Sequence, residues 1–325
     1  MPGTSGHWEN TQYALDCAPD FEVEWLVVYD GWSTPELMTH VPRARRILIT
    51  GEPESFHRYQ PAYLAQFGHV ITTQRCIRHP GVIHTQVGMN WFAGVRFDFN
   101  GPQNSYVPVL GFEELAADLP LKTKLCSVVS STKSVTAGHR QRLDFILRLK
   151  EELGDLVDIY GRGFQEVADK DDALAAYRYH IALENSSHPD YWTEKLADPF
   201  LRQCFPIYAG CPNLSDYFPE GSWLSIDVSK PAESIARIRE VLKSDLDRQR
   251  ASAVAEAKRR VLWEHNVFGL LERTYRRLES AEAQAPQRLT SPERLWTNQE
   301  VKDARWSRRL VRRLRQVLGL KRTGR

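Results

Sequence analysis

Short apolar runs rich in β-branched residues alternate along the chain with amphipathic stretches, the pattern of βαβ units and a mostly parallel sheet. In the first half it predicts strands at Trp25–Tyr29, Arg46–Thr50 and His69–Thr73, each followed by a polar or Gly/Pro segment. Residues 80–122, with Asn100-Gly101-Pro102 and several scattered prolines, read as a long connection toward a second domain. The second half is more regular. Strands are predicted at Lys124–Ser130, Val157–Tyr160, Tyr179–Leu183, Cys204–Tyr208 and Trp223–Asp227. Helices are predicted at Gly138–Leu153, Asp171–Tyr177, Thr193–Arg202 and Ala232–Lys243. From Asp247 to about Gln284 the pattern is wholly helical, and Ala285–Pro292 reads as a linker. The expected organisation is an α/β domain over 1–120, a nucleotide-binding α/β domain over 121–245, closing helices over 246–284, and a linker with an amphipathic helix over 285–325.

Composition adds bounds. A chain of 325 residues, 42% hydrophobic and 26% charged, is ordinary globular material of two-domain length. Residues 1–16 lack a basic start followed by an apolar stretch, so no secretory signal is expected, and no apolar run reaches spanning length. A cytoplasmic location is the expectation. The five cysteines (Cys17, Cys76, Cys126, Cys204, Cys211) are scattered without CxxC pairing, and read as reduced and mostly buried. The net charge of +2 is uneven, because residues 301–325 hold ten Lys/Arg against Asp303, a local +9. The remaining residues carry −7, the wrong sign for a nucleic-acid-binding body.

Chemically capable residues concentrate in Glu184-Asn185-Ser186-Ser187-His188-Pro189-Asp190-Tyr191-Trp192-Thr193-Glu194-Lys195, where a strand gives way to a helix. Thr193 suits an N-cap, and the N–H groups behind it would face an anion with the positive end of the helix dipole. Lys195 adds a formal charge in the first turn. A capped helix with a solvated ion pair accounts for this stretch equally well when it is taken alone.

Its neighbours change that balance. The ordered blocks "VDIYGRG", "YRYHIALENS", "DYWTEK", "FPIYAG" and "YFPEGSWLSID", within residues 124–245, resemble the donor-binding domain of the family 10 glycosyltransferases, the α1,3/α1,4-fucosyltransferases. The resemblance implies a GT-B fold of two Rossmann-like domains facing a cleft, with a helical carboxyl-terminal extension. It also implies GDP-fucose as donor substrate, with no tightly bound cofactor. Asn185, Tyr191, Glu194 and Lys195 match family positions that line the donor site. Glu194 would accept ribose hydroxyls and Lys195 would pair with the pyrophosphate. Arg142, with Phe145 and Leu149, fits the spacing of a further basic group on a helix, with Arg140 as the nearby alternative. His180 and Trp192 depart from the family pattern and either pack in the core or reshape the pocket.

Departure of a nucleoside diphosphate needs charge stabilisation, which two cations and a helix amino end supply without a metal. No Asp-x-Asp motif stands at a strand end, and Asp171-Asp172 suits the start of a helix, so no metal requirement is expected. An inverting transfer also needs one base for the acceptor hydroxyl. In "RRILITGEPES" the resemblance makes Glu52, which follows the strand's glycine, the expected base, and Glu54 the alternative. Solvated loop glutamates are the plain reading of both.

The expected partners are a nucleotide sugar and a glycan acceptor, a surface polysaccharide or lipopolysaccharide precursor, and not nucleic acid. Within 305–322, Leu310, Val311, Leu314, Val317 and Leu318 share one helical face and arginines fill the other. Such a helix suits peripheral contact with an anionic membrane at its cytoplasmic face, or docking on the acidic body. Two other readings keep the same fold: a transferase of another nucleotide sugar, and a non-catalytic glycan- or nucleotide-binding relic.

Overall fold

The computed structural model describes residues 6–304 except 18, 35, 99–104, 133–136, 168 and 282–285. The amphipathic segment 305–322 lies outside the described residues. The chain forms two compact units, Cys17–Val87 with Glu279–Arg325, and Met1–Asp16 with Gly88–Leu278.

The smaller unit holds a parallel sheet of β1 (Leu26–Tyr29), β2 (Arg46–Thr50), β3 (His69–Thr72) and β4 (Val82–His84) in that order. Every residue of β2 is buried, which is why it reads as an unbroken apolar run between two polar ends. Val28, Leu48, Val70, Tyr63 and Phe67 form its core. Arg46 begins β2 at 1% exposure. Its guanidinium donates to the carbonyls of Val41 (2.8 Å) and Gln66 (3.3 Å) and to Glu293 Oε2 (2.6 Å). That buried cation holds the returning chain, because Glu293–Leu295 pairs antiparallel with Leu37–Thr39. The linker expected at 285–292 therefore runs back into this unit from Leu289, whose N–H donates to the His40 carbonyl (2.9 Å).

The larger unit contains a five-stranded parallel sheet in the order β6 (Asp158–Tyr160), β5 (Lys124–Val129), β7 (Tyr177–Leu183), β8 (Phe205–Ala209), β9 (Leu224–Ser225). Helices α1 (Ala137–Leu153), α2 (Glu194–Leu201), α3 (Pro231–Leu242), α4 (Ala251–Trp263) and α5 (Val267–Glu279) accompany it. The strand order reverses at β5, whose neighbours lead outward in opposite directions. That reversal opens a crevice beyond the carboxyl ends of β5 and β7, the place where doubly wound sheets bind nucleotides.

Three expectations change. The boundary near residue 120 moves to 87/88, since residues 88–120 pack within the larger unit. The long connection expected at 80–122 contains β4, an antiparallel hairpin of Val95–Asp98 with Ser105–Pro108, and a helix over Phe112–Ala117. These pieces are too short, and too interrupted by Gly and Pro, to show a period. The helix expected at Asp171–Tyr177 is a 3-10 turn over Lys170–Ala173, and Tyr177 already belongs to β7.

His180 of β7 is 2% exposed. Its Nδ1 lies 2.8 Å from Ser127 Oγ, while Ser127 Oγ donates to the Ala173 carbonyl (2.5 Å). The hydroxyl's one proton is thus committed, so Nδ1–H is the donor to it. Trp192 is 3% exposed, edge-on to the rings of Tyr217, Phe218 and His265. Both departures from the family pattern are core residues.

Burial, with Lys170 nearby, pushes the His180 imidazole down to about 3. Burial likewise lowers His265 to about 4. Below the ordinary imidazole range, near pH 6.5, the unfolded chain therefore takes up protons that the folded chain refuses. Stability should be lost as pH falls from about 6.5 toward 3, by up to about 1.4 kcal/mol per pH unit for each histidine. Urea midpoints of wild type and His180→Gln at pH 7 and pH 5 check this. The variant should lose less on acidification.

Candidate functional site

Five of the residues singled out in the sequence come together at the crevice of the larger unit. Chain leaving β7 reaches Glu184, whose carboxylate turns inward. It accepts the Thr193 N–H (2.8 Å) and the Thr193 hydroxyl (3.0 Å to Oε1, 2.9 Å to Oε2). Thr193 is the N-cap of α2, and its Oγ accepts the Lys195 N–H (3.3 Å) and Lys195 Nζ (3.2 Å). Gly210, just past β8, leaves the necessary room, for a Cβ there would lie 2.5 Å from Glu184 Cγ and 2.3 Å from the Tyr208 hydroxyl. That is the physical reason for the glycine in "FPIYAG".

Lys195 Nζ sits 2.9 Å from Glu194 Oε1 and 3.6 Å from Glu184 Oε2. Burial works against its charge, yet Glu184 and Glu194 hold its pKa above the usual lysine range. Glu194 is also disfavoured as an anion by burial, but Lys195 and then Lys170 bring it down to about 2. Burial raises the Glu184 carboxyl against the opposing pull of Lys195. One lysine thus answers two carboxyl groups.

Arg142 reaches the same place from α1. It is 7% exposed, and burial lowers its pKa. One terminal nitrogen donates to Asn185 Oδ1, and the other lies 3.5 Å from Ser131 Oγ. Its Nε–H is buried without a partner, and no carboxylate of the described residues is within ion-pair distance. Arg140, one turn-face away, is exposed.

Tyr191 is 6% exposed, close enough to act electrostatically on Lys195. It is aimed by a residue the sequence reading passed over. Asp190 has φ +67, a conformation that costs a non-glycine residue roughly 1 kcal/mol. Asn213 holds it there, accepting the Asp190 N–H (2.8 Å) and donating to its carboxylate (2.8 Å), and the Tyr217 hydroxyl donates to the same oxygen (2.7 Å). Asp190 and Glu184 both stand in the Glu184–Lys195 stretch without an assigned role. The partners of Glu184, Thr193 and Lys195, are in it too, whereas those of Asp190, Asn213 and Tyr217, lie further along the chain.

Glu52 and Glu54 lie in the smaller unit, in the loop after β2. Glu52 is exposed, and its carbonyl accepts Gln74 Nε2 (2.7 Å). Glu54 is half-buried, with an ion pair to exposed Arg58 (3.6 Å). Asp30, at the end of neighbouring β1, accepts the Gly51 N–H (2.7 Å) and the Tyr59 hydroxyl, fixing the backbone that presents Glu52. Asp171 forms an ion pair with Arg202 (2.5 Å). Among the described residues no group of three or more His, Cys, Asp or Glu side chains is placed to hold a metal ion. None of their helices is long and apolar enough to cross a membrane.

Residues 119–251, the sheet and helices that build this crevice, match the model of the glycosyltransferase family 10 (fucosyltransferase) carboxyl-terminal domain. The match covers 133 of the 325 residues. Bovine 4-galactosyl-N-acetylglucosaminide 3-alpha-L-fucosyltransferase 9 is 31% identical over 137 residues, 39% of this chain and 36% of the relative. The human protein of the same name shows the same identity and coverage. The chain thus spans little more than a third of the length of these curated relatives. A solved alpha1,3-fucosyltransferase with GDP-fucose is 18% identical, with a TM-score of 0.44 over 80% of each chain.

The Glu184–Thr193 contact should behave as a structural cap with a buried carboxyl group. Thr193→Ala removes the hydroxyl from both Glu184 and the helix start, and should cost about 1–2 kcal/mol. Thr193→Ser should recover most of that loss. Urea denaturation of the three proteins measures it.

Proposed function

We propose that the chain is an inverting glycosyltransferase that moves fucose from GDP-fucose to a hydroxyl of a glycan acceptor. The observation that carries this reading is Arg142. A guanidinium nine-tenths buried, without a carboxylate in ion-pair distance among the described residues, is a charge in need of a counter-ion. A diphosphate supplies one, and binds it in the bidentate manner arginine favours. The family 10 match of residues 119–251 supports guanosine as the base and fucose as the sugar.

In this reading Lys195 releases part of its hold on Glu194 to reach the diphosphate, and Glu194 turns to the ribose hydroxyls. The first N–H groups of α2 add dipole at the same anion. Asn185 steadies Arg142, and Tyr191 closes the site beside Lys195. The base is Glu52, with Glu54 as the alternative. It takes the acceptor's O–H proton as the hydroxyl oxygen bonds to the anomeric carbon. The bond from that carbon to the β-phosphate oxygen breaks, and its electron pair leaves on GDP. Attack from the face opposite the diphosphate inverts the centre. Arg142 and Lys195 stabilise the charge that develops on the leaving group, with no step assigned to a metal.

A thermal-shift panel of GDP, UDP and ADP tests the donor. At a hundredfold excess over Kd, GDP should raise Tm by about 5–10 °C, and UDP and ADP should not. Equal shifts from all three, or stabilisation by UDP alone, would remove the guanosine reading. Glu52→Ala should retain the GDP shift and lose transfer by roughly 10²–10⁴-fold. If Glu54→Ala shows that loss and Glu52→Ala does not, the base is Glu54.

A further inference from the structure

A cavity of about 530 Å³ in the larger unit is lined by none of the residues assigned to the donor crevice. Its volume falls in the usual range for ligand sites. Aromatic rings supply most of the wall, among them Trp8, Trp91, Phe92, Tyr106, Phe112 and Phe268. Phe92 and Tyr106 are parallel within 12° at 5.7 Å, and Trp8 stacks on Phe268 at 5.9 Å. Among the described residues no charged side chain lines it.

The walls are fixed without a ligand. The N–H groups of Phe92 and Ala93 both donate to Asp198 Oδ1 (2.8 and 3.0 Å). Asp198 is fully buried and paired with Lys170 at 2.5 Å. On the opposite side Gly88, at φ +63, packs so tightly that a Cβ would come within 2.6 Å of Val267 Cα. Polar groups in the cavity are few. Asn266 spends its amide on the Leu262 carbonyl and the Gly269 N–H. That leaves exposed Asn90, the Tyr106 hydroxyl, the Trp91 indole N–H, and the Trp8 indole N–H, which has no partner among the described residues.

We propose that this cavity binds the hydrocarbon chain of an amphiphile. A phosphate or carboxylate would give up its hydration here without a free cation to replace it, because Lys170, 5.9 Å from the Phe92 ring centre, is already paired with Asp198 at 2.5 Å. A free sugar carries hydroxyls around its ring, and these four polar side chains, two of them indoles that can only donate, cannot satisfy them. A flexible hydrocarbon chain loses no hydrogen bonds on entry and removes both its own surface and the ring faces from water. Tyr106 is exposed at the cavity's edge, so the polar head of such a ligand would remain in solvent.

The test is calorimetric titration of the full chain with n-octyl β-D-glucoside, kept below its micelle concentration, and with methyl β-D-glucoside. The octyl compound should saturate one site per chain, and the methyl compound should give no binding heat. Phe92→Ala and half-exposed Tyr106→Ala should each weaken octyl binding by about tenfold. Methyl glucoside binding as tightly as the octyl compound, no octyl binding, or octyl binding unchanged in both variants would each overturn the proposal. The GDP shift measured on the same preparations separates the two readings: GDP stabilisation without octyl binding removes this site alone, and octyl binding without GDP stabilisation removes the donor reading alone.

Discussion

The carboxylate of Glu184 ties the end of β7 to the start of α2, and the crevice depends on that tie. A buried carboxyl group is tolerated only if hydrogen bonds and a cation repay its lost hydration. Here the Thr193 N–H, the Thr193 hydroxyl and Lys195 do so together. The same contacts set where α2 begins, which way its free N–H groups point, and where the Lys195 ammonium sits. Gly210 belongs to this arrangement because a side chain there would occupy the space of the Glu184 methylene.

Charge within the site is unevenly distributed. Lys195 is matched by two carboxyl groups, whereas Arg142 faces neutral oxygens of Asn185 and Ser131. The first group is held ready by its own partners, and the second has electrostatic capacity left over. Glu184 and Glu194 act on Arg142 from beyond ion-pair distance. The aromatic cavity elsewhere in the same unit has the opposite character, with ring faces and no charge. The polar crevice and the aromatic cavity are thus built from separate sets of side chains.

Much of the parallel architecture was legible in the chain, because strands buried on both faces must be apolar runs. β2 was placed at its observed bounds, and α2 was located by its threonine cap. The ordered motifs of residues 124–245 located the crevice for the same reason: strand ends, helix starts and close-packed glycines are local features. Short pieces were not legible. β4 and the Val95–Asp98 hairpin are too short to show a period, and Glu293–Leu295 acquires strand geometry only from Leu37–Thr39, far along the chain. Asp190 and Asp30 were overlooked because one short acidic residue looks like another until Asn213 or Gly51 is beside it.

By itself the sequence determined the α/β class and the elements of the second sheet, which follow from local periodicity and capping, while the choice of Asn185, Tyr191, Glu194 and Lys195 came from the resemblance of the ordered motifs. Tertiary structure decided that Met1–Asp16 and residues 88–120 belong with the larger unit, that the chain after Leu289 returns to the smaller one, and that His180 and Trp192 are core. It also decided the charge state of the crevice. Those outcomes depend on burial and on pairs of groups distant in sequence, and a linear pattern carries neither the local dielectric nor the identity of a partner.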